Sequence, residues 1–310
     1  MLATRRALVG AAVAIAIGSA ALLLASCGGT ANGEPAAGGK LHVVAAENFW
    51  GNIAAQLGGD RVAVTSIISS PDTDPHEFEA RPSDARAVAS AQYFIYNGIG
   101  YDPWAGKLVD ANPATGRVAL KVQDLLGLKS DANPHRWYSP PDVLKVVDQI
   151  TADYQKLDPS DSAFFAQLHR DFLANALKDY TALVQQIRQD YAGTPVGATE
   201  SIVSPMVDAL GLKMLTPYAF LQAISEGTDP TAQDKAVADQ QIASGQIAVL
   251  LVNTQNATPD AQRLVEAAKA KGIPIVDVTE TLEPSTGTFQ AWQTAQLQSL
   301  ADALARRAPK

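Results

Sequence analysis

The sequence predicts an α/β protein of two lobes, each a parallel sheet flanked by helices, joined by one long rigid helix. Three observations predict it. Short apolar, β-branched runs alternate with helical patterns, the signature of parallel α/β architecture. Those runs fall into two sets. Between the sets lies a long stretch of helical periodicity that no glycine or proline interrupts.

The elements follow in order. The chain opens on "MLATRRALVGAAVAIAIGSAALLLASC", in which Arg5 and Arg6 precede a long apolar run and a small-residue stop. That is the pattern of an export signal, so residues 1–26 read as a leader. Leu24-Ala25-Ser26-Cys27 resembles the lipobox of bacterial lipoproteins, which makes Cys27, the one cysteine of the chain, a lipidation site. Residues 27–39 ("CGGTANGEPAAGG") are small and flexible, a tether between lipid and folded body. The N-terminal lobe spans 40–157, with strands expected at 41–46, 61–69, 93–97 and 117–122 and a helix at 82–91. Residues 158–192 form the linking helix. Apolar residues at 165, 168, 172, 173, 176, 177, 180, 183, 184, 187 and 191 keep helical spacing. Asp158 or Ser160 can cap its start and Gly193 closes it, for a length of about 45 Å at 1.5 Å per residue. The C-terminal lobe spans 193–310, with strands expected at 194–199, 246–252 and 273–279 and a helix at 260–272.

Composition excludes some functions. Without the two arginines of residues 1–26, 22 basic side chains face 32 acidic ones, a net charge of −10. An acidic body without a basic cluster speaks against nucleic acid as a partner. The expected site of work is extracytoplasmic, with the protein lipid-anchored to the cell membrane and monomeric.

In open parallel sheets, ligands bind beyond the carboxyl ends of the strands. The residues just past each strand are Glu47, the loop from Pro71 to His76, Asn97, Glu200, Asn253 and Glu280. The chain has only four histidines, and two of them follow a proline in a loop, His76 in "DPHEFE" and His135 in "NPHRW". Proline fixes its own φ and pushes its predecessor into an extended conformation, so each imidazole is held with little entropy left to lose on binding. The Asp or Asn ahead can hydrogen-bond the free ring nitrogen. Two imidazoles plus a carboxylate suit zinc, manganese or iron. His42, inside a strand, and His169, on the linking helix, read as structural or surface residues.

These residues carry a resemblance to the metal-binding lipoproteins of bacterial ABC importers for zinc and manganese, the cluster A-I family. The first motif is Asp74-Pro75-His76-Glu77-Phe78-Glu79 followed by Pro82-Ser83-Asp84, and the second is Asn133-Pro134-His135-Arg136-Trp137. "AQYFIYNGIGYDPW" is similar to the segment between them, and "EGTDP" (226–230) resembles a later acidic-proline motif. The resemblance covers roughly residues 40 to 305. It implies two lobes on a rigid helix, a metal in the cleft, and a permease and an ATPase as partners. Carried over, the ligands of the N-terminal lobe fall on His76 and His135 and the third on Glu200. The fourth is expected as an aspartate a few residues beyond the next strand, where this sequence has "NTQNATPD". Either water completes the site or another carboxylate substitutes. Glu47 is the preferred substitute and Glu280 the alternative. Asn253 and Gln255 are assigned a hydrogen-bonding role behind the ligands.

The expected function is capture of a divalent transition metal, zinc favoured over manganese or iron, and its delivery to an importer. Capture needs neutral imidazoles, so affinity should fall below the histidine range. Release should come from a small rocking of the lobes, because the linking helix is stiff. A surface adhesin is the second reading. A zinc hydrolase is the third and weakest, since the chain has no HExxH and no helical i, i+4 histidine pair.

Overall fold

The structure is a computed structural model that describes residues 39–70, 73, 75 and 78–307. The leader 1–26, Cys27 and His76 lie outside the described residues.

The first lobe comprises β1 (Leu41–Glu47), α1 (Asn48–Gly58), β2 (Val62–Ile68), α2 (Pro82–Ser90), β3 (Tyr93–Tyr96), α3 (Pro103–Ala111), β4 (Val118–Lys121), α4 (Val122–Leu126) and α5 (Pro140–Leu157). Its four strands are parallel in the order β2-β1-β3-β4, with Val43 paired to Val64 on one side and to Tyr93 on the other. β1 is thus interior, and its near-continuous apolar run is what burial on both faces requires. α1 turns back immediately after β1 and lies close on β2. Gly51 permits the approach, since a Cβ there would stand 2.1 Å from Ser66 Oγ.

The second lobe comprises β5 (Pro195–Ala198), α8 (Ser204–Ala209), β6 (Lys213–Met214), α9 (Tyr218–Ser225), α10 (Ala232–Ala243), β7 (Leu250–Asn253), α11 (Pro259–Ala270), β8 (Ile275–Val278) and α12 (Phe289–Arg307). Its strands run parallel in the order β6-β5-β7-β8. Both lobes therefore use one topology. The expected fold class, two parallel sheets flanked by helices, is the one observed. β6 has no counterpart among the expected strands, because two residues carry no alternation to detect.

The unbroken helix expected over 158–192 needs a correction. Asp158 accepts the backbone N–H of Asp161 and starts a 3₁₀ turn, Pro159–Asp161. α6 (Ser162–Asp171) follows, then a π-helical turn at Phe172–Ala176, then α7 (Lys178–Tyr191). The turn is marked by Leu177 N–H donating to the Phe172 carbonyl at 2.9 Å. A π turn holds one more residue than an α turn, so the apolar stripe changes phase there. Before it, Phe165 packs on Tyr154 of α5, ring centroids 5.3 Å apart. After it, Tyr180 meets Phe289 of α12 edge-on at 6.2 Å. One helical rod therefore serves two partners that a single stripe would not reach. Among the described residues no helix is long and apolar enough to cross a membrane.

Candidate metal centre

The loop after α4 presents His135, which is 1% exposed. Asn133 sets its tautomer. The Asn133 Nδ2 donates to the Ser201 carbonyl at 2.8 Å, which orients the amide. Its Oδ1 then accepts the His135 backbone N–H at 2.9 Å and lies 2.9 Å from the ring Nδ1. An amide oxygen only accepts, so Nδ1 carries the proton and Nε2 keeps the lone pair a metal requires. Asn97 Nδ2 donates to the Pro134 carbonyl at 2.9 Å and steadies the proline. Aromatic rings wall the imidazole: Trp137 edge-on at 5.3 Å and Tyr101 at 5.8 Å, with Phe49 stacked on Trp137 at 3.8 Å.

The carboxylate facing His135 is Glu280, its Oε1 3.7 Å from Nε2. Glu280 follows β8 in the second lobe. Its backbone N–H donates to Gln255 Oε1 at 2.8 Å, and its carbonyl accepts from Trp137 Nε1 at 3.1 Å. Tyr138 OH donates to the neighbouring Thr279 carbonyl at 2.7 Å. Aromatic residues of the first lobe thereby grip the backbone on which Glu280 stands.

Glu200 lies just past β5 and is 2% exposed. An amide donor meets each of its oxygens, Asn253 Nδ2 on Oε1 at 2.5 Å and Asn256 Nδ2 on Oε2 at 2.6 Å. A buried carboxylate is tolerable only with such partners, and these two amides orient it.

Glu47 has the opposite surroundings. It is fully buried, and neither carboxylate oxygen meets a hydrogen-bond donor among the described residues. Burial, and then the charge of Asp102, push its pKa well above the ordinary glutamate range. Asp102 is itself raised to about 6 by burial, against the stabilising N–H groups of Asn97 at 2.6 Å and Gly98 at 2.7 Å. Burial also lifts the Tyr101 phenol, and the carboxylates of Glu280 and then Glu47 lift it further.

A cleft of about 280 Å³ leads to His135 between the lobes, lined by Ile99, Gly100 and Pro134 on one side and Ser201, Tyr218 and Glu226 on the other. Among the described residues, no three His, Cys, Asp or Glu side chains are grouped to hold a metal ion. The group that sequence motifs would complete includes His76, which lies outside them.

Residues 43–303 match the family described as zinc-uptake complex component A, periplasmic (ZnuA). The chain belongs to that family. Its members are solute-binding proteins and not enzymes. The manganese-binding lipoprotein MntA of Halalkalibacterium halodurans is 29% identical over 59% of this chain and 61% of its own length. MntA of Bacillus subtilis is 26% identical over 82% of this chain and 83% of its own. Thus the chain spans under two thirds of the first of these relatives and most of the second. Among solved structures, the periplasmic zinc binding protein TroA from Treponema pallidum superposes with a TM-score of 0.72 at 18% identity, covering 86% of this chain and 99% of its own. The Mn-bound periplasmic metal binding protein from candidatus liberibacter asiaticus gives 0.71 at 20%, covering 84% and 98%. These likenesses share the fold.

Within this family member, Glu280 comes to His135, Glu200 is clamped by amides, and Glu47 sits as a buried acid beside Asp102. Asn253 hydrogen-bonds Glu200 directly. His42 Nδ1 lies 3.1 Å from the Ser90 carbonyl, and His169 Nε2 lies 2.7 Å from Asp148 Oδ1 at the surface. Gln255, expected with Asn253 behind the ligands, bonds the Glu280 backbone, whereas sequence reasoning does not find Tyr101 or Asn256. Asn256 alone leaves a signal, as a third amide in "NTQN" directly after β7.

Proposed function

We propose that the chain is the extracytoplasmic substrate-binding lipoprotein of an ABC importer. It captures a divalent transition metal between its lobes and hands it to a permease driven by an ATPase. Residues 1–26 are its leader and Cys27 its lipid anchor, and the lobes at 40–157 and 193–310 rock on the linking helix to release the ion. His76, His135, Glu200 and Glu280 are the ligands. The observation that carries this reading is the His135 imidazole, its Nδ1 proton committed to Asn133 and its Nε2 set 3.7 Å from the Glu280 carboxylate. Family membership and the metal-binding names of the relatives support it.

Glu280 is favoured over Glu47 as the fourth ligand on physical grounds. A ligand must be deprotonated, and burial and then the charge of Asp102 disfavour the ionised form of Glu47. Two imidazoles with two carboxylates accept both Zn²⁺ and Mn²⁺, and at equilibrium Zn²⁺ binds tighter. The names of the relatives include both metals.

The test is metal content and competitive Zn²⁺ and Mn²⁺ affinity of the purified full chain and of its His135→Ala and Glu280→Gln variants. Stoichiometric binding of one ion, lost in His135→Ala, is expected. A chain that retains no divalent ion after equilibration with either metal ends the reading.

A further inference from the structure

Glu280 comes from the second lobe by sequence, yet the segment that carries it is fastened to the first. Three amide side chains at helical spacing on α1, Asn48, Asn52 and Gln56, face the segment from Leu282 to Gln290. Each forms a reciprocal pair of hydrogen bonds. Asn48 Oδ1 accepts the Leu282 N–H at 3.2 Å while its Nδ2 donates to the Leu282 carbonyl at 3.4 Å. Asn52 Oδ1 accepts the Phe289 N–H at 2.8 Å and its Nδ2 donates to the Gly287 carbonyl at 3.0 Å. Gln56 and Gln290 exchange side-chain bonds at 3.0 and 2.8 Å. Gln56 Nε2 also bonds Asn52 Oδ1 at 2.7 Å, which links two rungs.

A ladder of amides with donors and acceptors matched on both sides specifies register, as an apolar contact does not. This one begins two residues after Glu280, and Trp137 and Tyr138 hold the Glu280 backbone from the same lobe. Resting on the metal-site reading above, we infer that Asn48, Asn52 and Gln56 are positioning residues for Glu280. They hold its carboxylate against His135 from the first lobe. The site then divides unevenly: His135 and Glu280 form one preformed half, and Glu200, held by Asn253 and Asn256, closes on it from the other lobe. Rocking of the lobes separates Glu200 from the pair and leaves His135 and Glu280 together.

A double-mutant cycle on the full chain tests this, with Zn²⁺ affinity read by competition against a chromophoric chelator. Asn52→Leu combined with Gln56→Leu should lower affinity about tenfold, within the range for residues that orient ligands. Asn52→Asp, which keeps the acceptor for the Phe289 N–H, should lose less. In a Glu280→Gln background the leucine pair should cost under about twofold more, because the group it positions is gone. An equal loss in both backgrounds, or none in either, overturns the inference while the ligand role of Glu280 stands. If Glu280→Gln itself binds like the parent chain, the ligand assignment fails and the inference with it. Should the leucine pair not fold, Gln290→Leu at the half-buried end of the ladder carries the same cycle.

Discussion

Replacing Asn253 by alanine should damage both the stability of the metal-free protein and its affinity for metal. Asn253 is 2% exposed and connects the two second-lobe carboxylates. Its Nδ2 bonds Glu200 at 2.5 Å, and its Oδ1 accepts the Gln255 N–H at 3.0 Å. Gln255 Oε1 in turn accepts the N–H groups of Glu280 and Thr281. Alanine removes one hydrogen bond to a buried charge, about 1.5–3 kcal/mol, and one neutral bond of about 0.5–1.5 kcal/mol. The expected loss is therefore about 2–4.5 kcal/mol, read as ΔΔG from urea unfolding of chelator-stripped protein. Zn²⁺ affinity should fall by about 10–100-fold, because Glu200 loses its orientation. The same loss appears thermally: at fixed excess metal, each tenfold in Kd removes about 1.4 kcal/mol of metal-induced stabilisation. Asn256→Ala, at a half-buried residue, should follow with smaller losses. An Asn253→Ala protein with parental stability and parental Kd would refute the claim that these amides hold a functional carboxylate.

Other expectations are more compact. Glu280→Gln should weaken Zn²⁺ binding at least tenfold, while Glu47→Gln should stay within about threefold. Isothermal titration of both separates the two carboxylates, and the reverse ranking would return Glu47 to the ligand set. Glu47 and Asp102 also set a pH dependence. Both have folded pKa values raised, Asp102 from 3.8 to about 6 and Glu47 well above 4.5. The folded state therefore holds more protons than the unfolded state in that window, and their contribution to stability falls as pH rises. In metal-free protein, Glu47→Gln should gain on the parent as pH rises above 4.5, by up to about 1.4 kcal/mol per pH unit. Unfolding curves at pH 5 and pH 8 that show a constant gap would contradict it. Phe49→Ala, which empties the ring stacked on Trp137, should cost about 3–5 kcal/mol in chemical denaturation. It should also weaken metal binding, since Trp137 walls His135 and grips Glu280.

Much of the architecture is legible because parallel strands buried on both faces leave apolar runs, and every strand but β6 overlaps such a run. The π turn at Phe172–Ala176 is not: it joins a face packed on Tyr154 to a face packed on Phe289, and the second partner lies far along the chain. The carboxylates show the same limit more sharply. Glu47 ends β1 and Glu200 lies two residues past β5, the interior strands at matching places in two sheets of one topology. Strand-end reasoning treats them alike. What separates them is that Glu200 has Asn253 and Asn256 on its oxygens while Glu47 has Asp102 beside it; the amides of "NTQN" leave a trace in the sequence, and the approach of Asp102 leaves none. Sequence alone ranks Glu280 behind Glu47 for a related reason: its approach to His135 depends on Trp137 and Gln255, which meet it only in the folded chain.

The π turn fixes a length. With 3.6 residues per turn, adding one more residue between Phe172 and Leu177, where the turn already holds an extra one, would rotate everything downstream by about 100°. Tyr180 would then swing off Phe289 of α12, and the two lobes could no longer share this spine in their present orientation. The segment should accept exchanges of side chain far more readily than an added residue, so the facing of one lobe toward the other is set by a count.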